Sequence, residues 1–183
     1  MKFDRVTRAY LNSGETPNVI AWAWCGGLSD YNQLGKGATA GQVDDYLKAM
    51  TRLETDYPKI TFVYMTAHLD GSGAGGNTNQ RNEQIRAYCR ANNKVLFDFA
   101  DIESYDPDGT RNYMTLGGNQ DCSYSGGNWA DEWLAGNPAS KLGYADGYDA
   151  ADTNHTRILN NNLKGRAFWW LLARIAGWEG AGS

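Results

Sequence analysis

The sequence predicts an α/β fold in three layers, a parallel sheet flanked by helices. Two observations predict it. Continuous apolar runs occupy 19–24, 60–65 and 95–99. Runs without polar alternation read as strands buried on both faces, which is how parallel sheets are built. The segments between them carry helical periodicity and are long enough for crossovers.

The elements follow in chain order. Phe3 to Leu11 reads as a helix, with Phe3, Val6, Ala9 and Tyr10 at helical spacing and Gly14 beyond its end. Val19 to Trp24 is the first strand, stopping at Cys25-Gly26-Gly27. Thr39 reads as the N-cap of a helix through Val43, Leu47, Met50 and Leu53 that ends before Pro58. Ile60 to Met65 is the second strand and runs into His68-Leu69-Asp70-Gly71. Asn79 to Asn92 is the next helix, with Ile85, Tyr88 and Cys89 on one face, and Val95 to Phe99 is the third strand. The stretch Asp101–Thr156 is polar and rich in Gly, Asn and Tyr, with one short helix expected at Asn128 to Leu134. Its aromatics Tyr105, Tyr113, Tyr124, Trp129 and Trp133 predict an ordered excursion packed on the domain. Leu163 to Trp178 closes the chain as a helix on which Leu163, Ala167, Trp170, Leu171, Arg174 and Trp178 mix core and rim positions. With no repeat and no linker, the 183 residues read as one domain.

Composition narrows the function classes. The net charge of -4 gives no electrostatic footprint for nucleic acid. No stretch is long and apolar enough for a membrane helix, and no cofactor signature occurs. Cys25, Cys89 and Cys122 fit no zinc spacing and no disulfide scaffold. The opening Met1-Lys2-Phe3-Asp4 does not read as a signal peptide. A cytoplasmic protein fits, and so does a mature secreted domain carrying a new start methionine.

Ligands of open parallel sheets bind outside the carboxyl ends of the strands. The first end carries Cys25, Gly26, Gly27, Ser29 and Asp30; the second His68 and Asp70; the third Asp98, Asp101 and Glu103. Asp152-Thr153-Asn154-His155 stands just before the last helix. A carboxylate three residues before a histidine can orient the ring and stabilise its charged form, which suits a general base. An isolated loop histidine is the plainer reading. His68 fits a structural role in its glycine-rich turn as well as a site role. Cys25 fits a small core residue or a thiol nucleophile, and Ser29 a capping serine or a nucleophile. The acidic run Asp98 to Asp108 fails the EF-hand spacing and reads as a solvated loop with a turn at Asp106-Pro107-Asp108-Gly109, so no metal site is expected. The tryptophans are expected mostly in the core, with Trp129 and Trp133 as candidates for lining a sugar or acyl groove.

Three blocks together resemble a bacterial branch of the SGNH (GDSL-like) hydrolase superfamily: Trp22-Ala23-Trp24-Cys25-Gly26-Gly27, Phe62 through Gly71, and Lys94 through Asp106. Asp152-x-x-His155 and the following Lys164-Gly165-Arg166-Ala167-Phe168-Trp169-Trp170 agree with it. The likeness runs from about Phe3 to Trp178. It implies a flavodoxin-like sheet and ester hydrolysis, with an acylated carbohydrate as a small-molecule substrate. His155 and Asp152 would be the base and its orienting carboxylate, and Gly26 or Gly27 the oxyanion glycine. His68-Leu69-Asp70-Gly71 stands where Gly-x-Asn-Asp would be, so His68 would donate in place of asparagine, with Asn77 or Asn79 reaching in. No Gly-Asp-Ser segment and no Gly-x-Ser-x-Gly elbow occurs. The resemblance puts the serine block upstream of Met1, with the first strand missing from the sheet. The exposed sheet edge would then pair in a homodimer or take a compensating strand from 101–156. The rival expectation is a non-catalytic carbohydrate-binding or structural module that keeps the hydrolase frame.

Overall fold

The computed structural model describes residues 2–24, 27–29, 37–144 and 156–180. Its core is a parallel three-stranded sheet in the order β1 (Val19–Ala21), β2 (Thr61–Met65), β3 (Val95–Phe97). Val19 pairs with Thr61 and Val63 with Val95, so the three apolar runs are parallel neighbours, as expected. The first and third are shorter than the sequence predicts, ending at Ala21 and Phe97. Asp98 accepts from the Asp101 amide and caps α4 (Phe99–Glu103), which turns Phe99 from strand into helix.

Side-chain alternation on the strands builds two apolar layers. Ile20, Phe62, Tyr64 and Leu96 face α1 (Lys2–Asn12), α2 (Ala40–Asp56) and α3 (Asn77–Ala91). Val63, Met65 and Phe97 face α4 and α6 (Ile158–Ile175), where they meet Ala167, Phe168, Leu171 and Ile175. The sheet is therefore covered by helices on both sides, which its two-sided apolar strands require.

Thr39 forms a full capping box with Gln42, and Val43, Leu47, Met50 and Leu53 are buried, as the periodicity predicts. The first helix differs. Val6 and Tyr10 are exposed, and the buried stripe is Phe3, Thr7 and Leu11. Thr7 can be buried because its hydroxyl donates to the Phe3 carbonyl at 3.0 Å and accepts from the Trp22 indole at 2.9 Å.

The described part of the excursion is ordered around its own core. A 3-10 turn at Tyr113–Leu116, the hairpin β4 (Ser123–Tyr124) and β5 (Gly127–Asn128), and α5 (Trp129–Gly136) surround Trp129, which is fully buried against Tyr113, Cys122 and Leu159. Trp129 is thus core and lines no groove. The tryptophans left exposed are Trp169, Trp170 and Trp178, on and just after α6. Among the described residues no strand of the excursion joins the main sheet, so the compensating strand does not form there. The excursion docks instead through an isolated bridge between Asp70 and Asn119. No described helix is long and apolar enough to cross a membrane.

The corrected α1 stripe is testable by urea denaturation. Leu11→Ala should cost about 2 kcal/mol or more, as truncation of a buried leucine does. Val6→Ala, at a half-exposed position, should cost under about 0.5 kcal/mol.

Candidate functional site

The carboxyl ends of the strands open into a cavity of about 720 Å³. Trp24 and Ser29 line it from the first strand end, His68, Leu69 and Asp70 from the second, and Phe99 and Glu103 from the third. Asn119 to Asp121 of the excursion and Thr156, Asn161 and Lys164 at the start of α6 close it.

The segment leaving β2 is held at every step. Thr66 donates to Asp98 at 2.9 Å and accepts from the Ala100 amide at 3.0 Å. Asn82, fully buried on α3, accepts from the Ala67 amide at 2.8 Å and donates to the Ala67 carbonyl at 3.1 Å. The Leu69 amide donates to Glu103 Oε2 at 2.6 Å, and the Leu69 carbonyl accepts from the Gln120 amide at 3.0 Å. Buried backbone groups at the floor of a polar cavity have to be paired, and these are.

Glu103 is the centre of this arrangement. The sequence reads it as part of a solvated acidic loop, but it is 1 % exposed. Its second oxygen, Oε1, accepts from Lys164 Nζ at 2.5 Å, and the same ammonium lies 4.3 Å from the Phe99 ring centroid. A carboxylate this deep survives as an ion only when paired and hydrogen-bonded, and Glu103 has both supports. Asp98 is spent on Arg86, which binds it through Nε at 2.7 Å and Nη2 at 2.8 Å, while Asp101 is exposed. Partial desolvation, then repulsion from Asp98, raises the Asp101 carboxyl above its ordinary range. The turn at Asp106 forms as expected, with its carboxylate accepting from the Asp108 and Gly109 amides.

His68 and Asp70 both line the cavity, but their roles change. His68 Nδ1 lies 2.9 Å from the Leu69 carbonyl, which can only accept, so Nδ1 carries the proton. Neutral His68 then offers Nε2 as an acceptor, and only its imidazolium can donate to a developing oxyanion. Asp70 Oδ1 accepts from the Ser72 amide at 3.0 Å and hydroxyl at 2.5 Å, and Oδ2 accepts from the Thr78 hydroxyl at 2.6 Å. Its carboxylate is committed to the turn that enters α3, with Gly71 at φ +83° where other residues are strained.

Asn77 and Asn79 do not reach in. They donate to the Ala38 and Ala74 carbonyls, and the asparagines at the cavity are Asn119 and Asn161. Ser29 lines the cavity at 1 % exposure, and Gly27 is exposed. Cys25, Gly26, Asp152 and His155 lie outside the described residues. Thr156, the residue after His155 in the sequence, is a lining residue and accepts from Asn160 at 2.8 Å. Cys89 and Cys122 are buried free thiols, and burial pushes each up to about 12, which removes them as nucleophiles. Among the described residues no cluster of His, Cys, Asp or Glu is arranged to hold a metal ion.

Comparison with protein-family models, curated proteins and solved structures finds no match to the chain.

Removing one partner of a buried ion pair strands the other, so Glu103→Ala and Lys164→Ala should each lower stability by about 3–5 kcal/mol in denaturant titrations. Replacing the pair by Leu and Met together should recover much of that loss. Additive losses in the double variant would contradict the pairing. In Cys25→Ser protein, Cys89 and Cys122 should resist a thiol reagent until the chain is unfolded.

Proposed function

We propose that this chain handles an ester of a carbohydrate, by the acyl-transfer chemistry of the SGNH-like hydrolases that its sequence resembles. The observation that carries the reading is the meeting of three parallel strand ends and the start of α6 on one cavity. That is where an α/β sheet binds its ligand, and Thr156, the residue after His155 in sequence, lines the cavity.

In this reading His155 takes the proton from the attacking hydroxyl as the acyl carbon becomes tetrahedral. It returns that proton to the departing sugar oxygen. Asp152 holds the imidazole in the tautomer this needs. The amides of Gly26 and Gly27 face the oxyanion, joined by His68 when it is charged. Asp70 supports the His68 turn without touching the substrate. Ser29 is the in-chain hydroxyl nucleophile of this scheme, with Cys25 as the thiol alternative.

The near-complete burial of Ser29 and the lack of a Gly-Asp-Ser segment favour a second reading. In that case the frame binds acylated sugar and leaves it intact.

One experiment separates the two: hydrolysis of p-nitrophenyl acetate and of an acetylated xylo-oligosaccharide, with calorimetric binding of the latter. Hydrolysis that falls about a thousandfold or more in His155→Ala supports the esterase, and an equal fall in Ser29→Ala or Cys25→Ala names the nucleophile. Binding without turnover supports the module. Hydrolysis indifferent to His155, or neither binding nor hydrolysis, overturns the proposal.

A further inference from the structure

α6 borders two cavities. Lys164 and Asn161 look toward the sheet-edge cavity. A second groove of about 690 Å³ runs along the other side and shares no lining residue with the first. Its walls are Asn162, Gly165, Arg166, Trp169, Trp170 and Trp178, with Ala173 on its floor.

We propose that this groove binds an anionic polysaccharide, a chain of uronate-type sugars. Four features support this occupant. First, Trp169 is 75 % exposed, Trp170 55 % and Trp178 47 %. Two tryptophans on the outer side of α6 and a third just beyond its end, all lining one groove, mark an interaction site. Second, the apolar lining holds no side chain between alanine and tryptophan in size. Flat indoles alone match the flat C–H faces of pyranose rings.

Third, the charge is one-sided. Lys164 is neutralised by Glu103 on the other side, which leaves Arg166 and Arg174 as the outer cations of a helix with no acidic residue, although the whole chain carries a net charge of -4. Arg166 is exposed and makes no hydrogen bond or ion pair among the described residues. A free guanidinium beside an indole suits a sugar carboxylate, which it can bind through two parallel hydrogen bonds.

Fourth, the platform is already built. Arg174 Nη1 donates to the Trp178 carbonyl at 2.9 Å, and its guanidinium lies 5.7 Å from the Trp170 ring centroid. Gly177, at φ +92°, folds the chain back so that the Trp178 amide donates to the Ala173 carbonyl at 3.0 Å. A Trp170 ring under a guanidinium and a Trp178 backbone fixed before binding lose little conformational freedom on binding. Gly165 adds room: a Cβ there would meet nothing within 4 Å, yet glycine inside a helix costs about 1 kcal/mol against alanine. An incoming ligand that approaches the helix backbone explains its presence.

The test is tryptophan fluorescence and calorimetry of the full chain with hexagalacturonate, and with xylohexaose as its neutral counterpart. Hexagalacturonate should bind more tightly than xylohexaose, and its affinity should fall steeply with salt. Trp169→Ala/Trp170→Ala should weaken both ligands tenfold or more without lowering the melting temperature, because both side chains are exposed. Arg166→Gln should bring hexagalacturonate down to the xylohexaose affinity. His155→Ala should bind hexagalacturonate like the parent chain, which keeps this groove separable from the esterase reading. The proposal is overturned by absence of binding, by binding unchanged in the tryptophan variant, or by loss of binding in His155→Ala. It is equally overturned if phosphatidylserine vesicles shift the tryptophan emission and hexagalacturonate does not.

Discussion

The carboxylate of Glu103 is the constraint on which the cavity edge of the sheet depends. One oxygen takes the Leu69 amide just beyond β2, and the other takes the ammonium of Lys164 on α6. Because Glu103 itself sits at the end of α4, three elements distant in sequence meet at one charged group. Desolvating a carboxylate costs several kcal/mol, and the cost is offset only while both partners stay in place. The pair therefore adds specificity of position more than net stability: α6 has one register in which Lys164 reaches its partner.

The rest of the cavity is arranged around that point. Leu69 donates to Glu103 and accepts from Gln120, so the same residue that is tied to α4 also anchors the excursion. Asn82 fixes Ala67 from α3, and Asp70 fixes the turn into that helix. His68 is thus presented on a backbone with no slack, and its tautomer is set by the Leu69 carbonyl. The outer face of α6 is built on a different principle, exposed indoles with Arg174 over the Trp170 ring and bonded to the Trp178 carbonyl.

The sheet and α2 were legible because their signals are local. Apolar continuity marks strands covered on two faces, and Thr39 with Gln42 spells out a cap. The misreadings share a cause, a side chain whose environment is set by residues far away. Thr7 replaces Val6 in the core because Trp22, fifteen residues on, supplies its hydrogen bond. Glu103 looks like one more acid in a polar run until Lys164, sixty-one residues later, is brought beside it. A lysine between Leu163 and Ala167 on an otherwise core-facing stripe was the available hint. Trp129 and Trp169 look alike in sequence, yet one is fully buried and the other largely in water, since only the fold decides which side of a helix has company. The site was legible in outline: the strand ends do meet at one cavity, and His68, Asp70 and Ser29 line it. Asn119, Lys164 and Glu103 were missed as partners because nothing in their neighbourhoods announces the contact.

The most direct measurement of the Glu103 constraint is amide hydrogen exchange at Leu69. With its N–H bound to a buried carboxylate, Leu69 should exchange only through global unfolding, as slowly as the amides of β2. In Glu103→Ala the same amide should exchange at least a hundredfold faster, while Val63 changes only as far as overall stability does. A Leu69 amide that exchanges in the parent chain at the rate of an open loop would contradict the account.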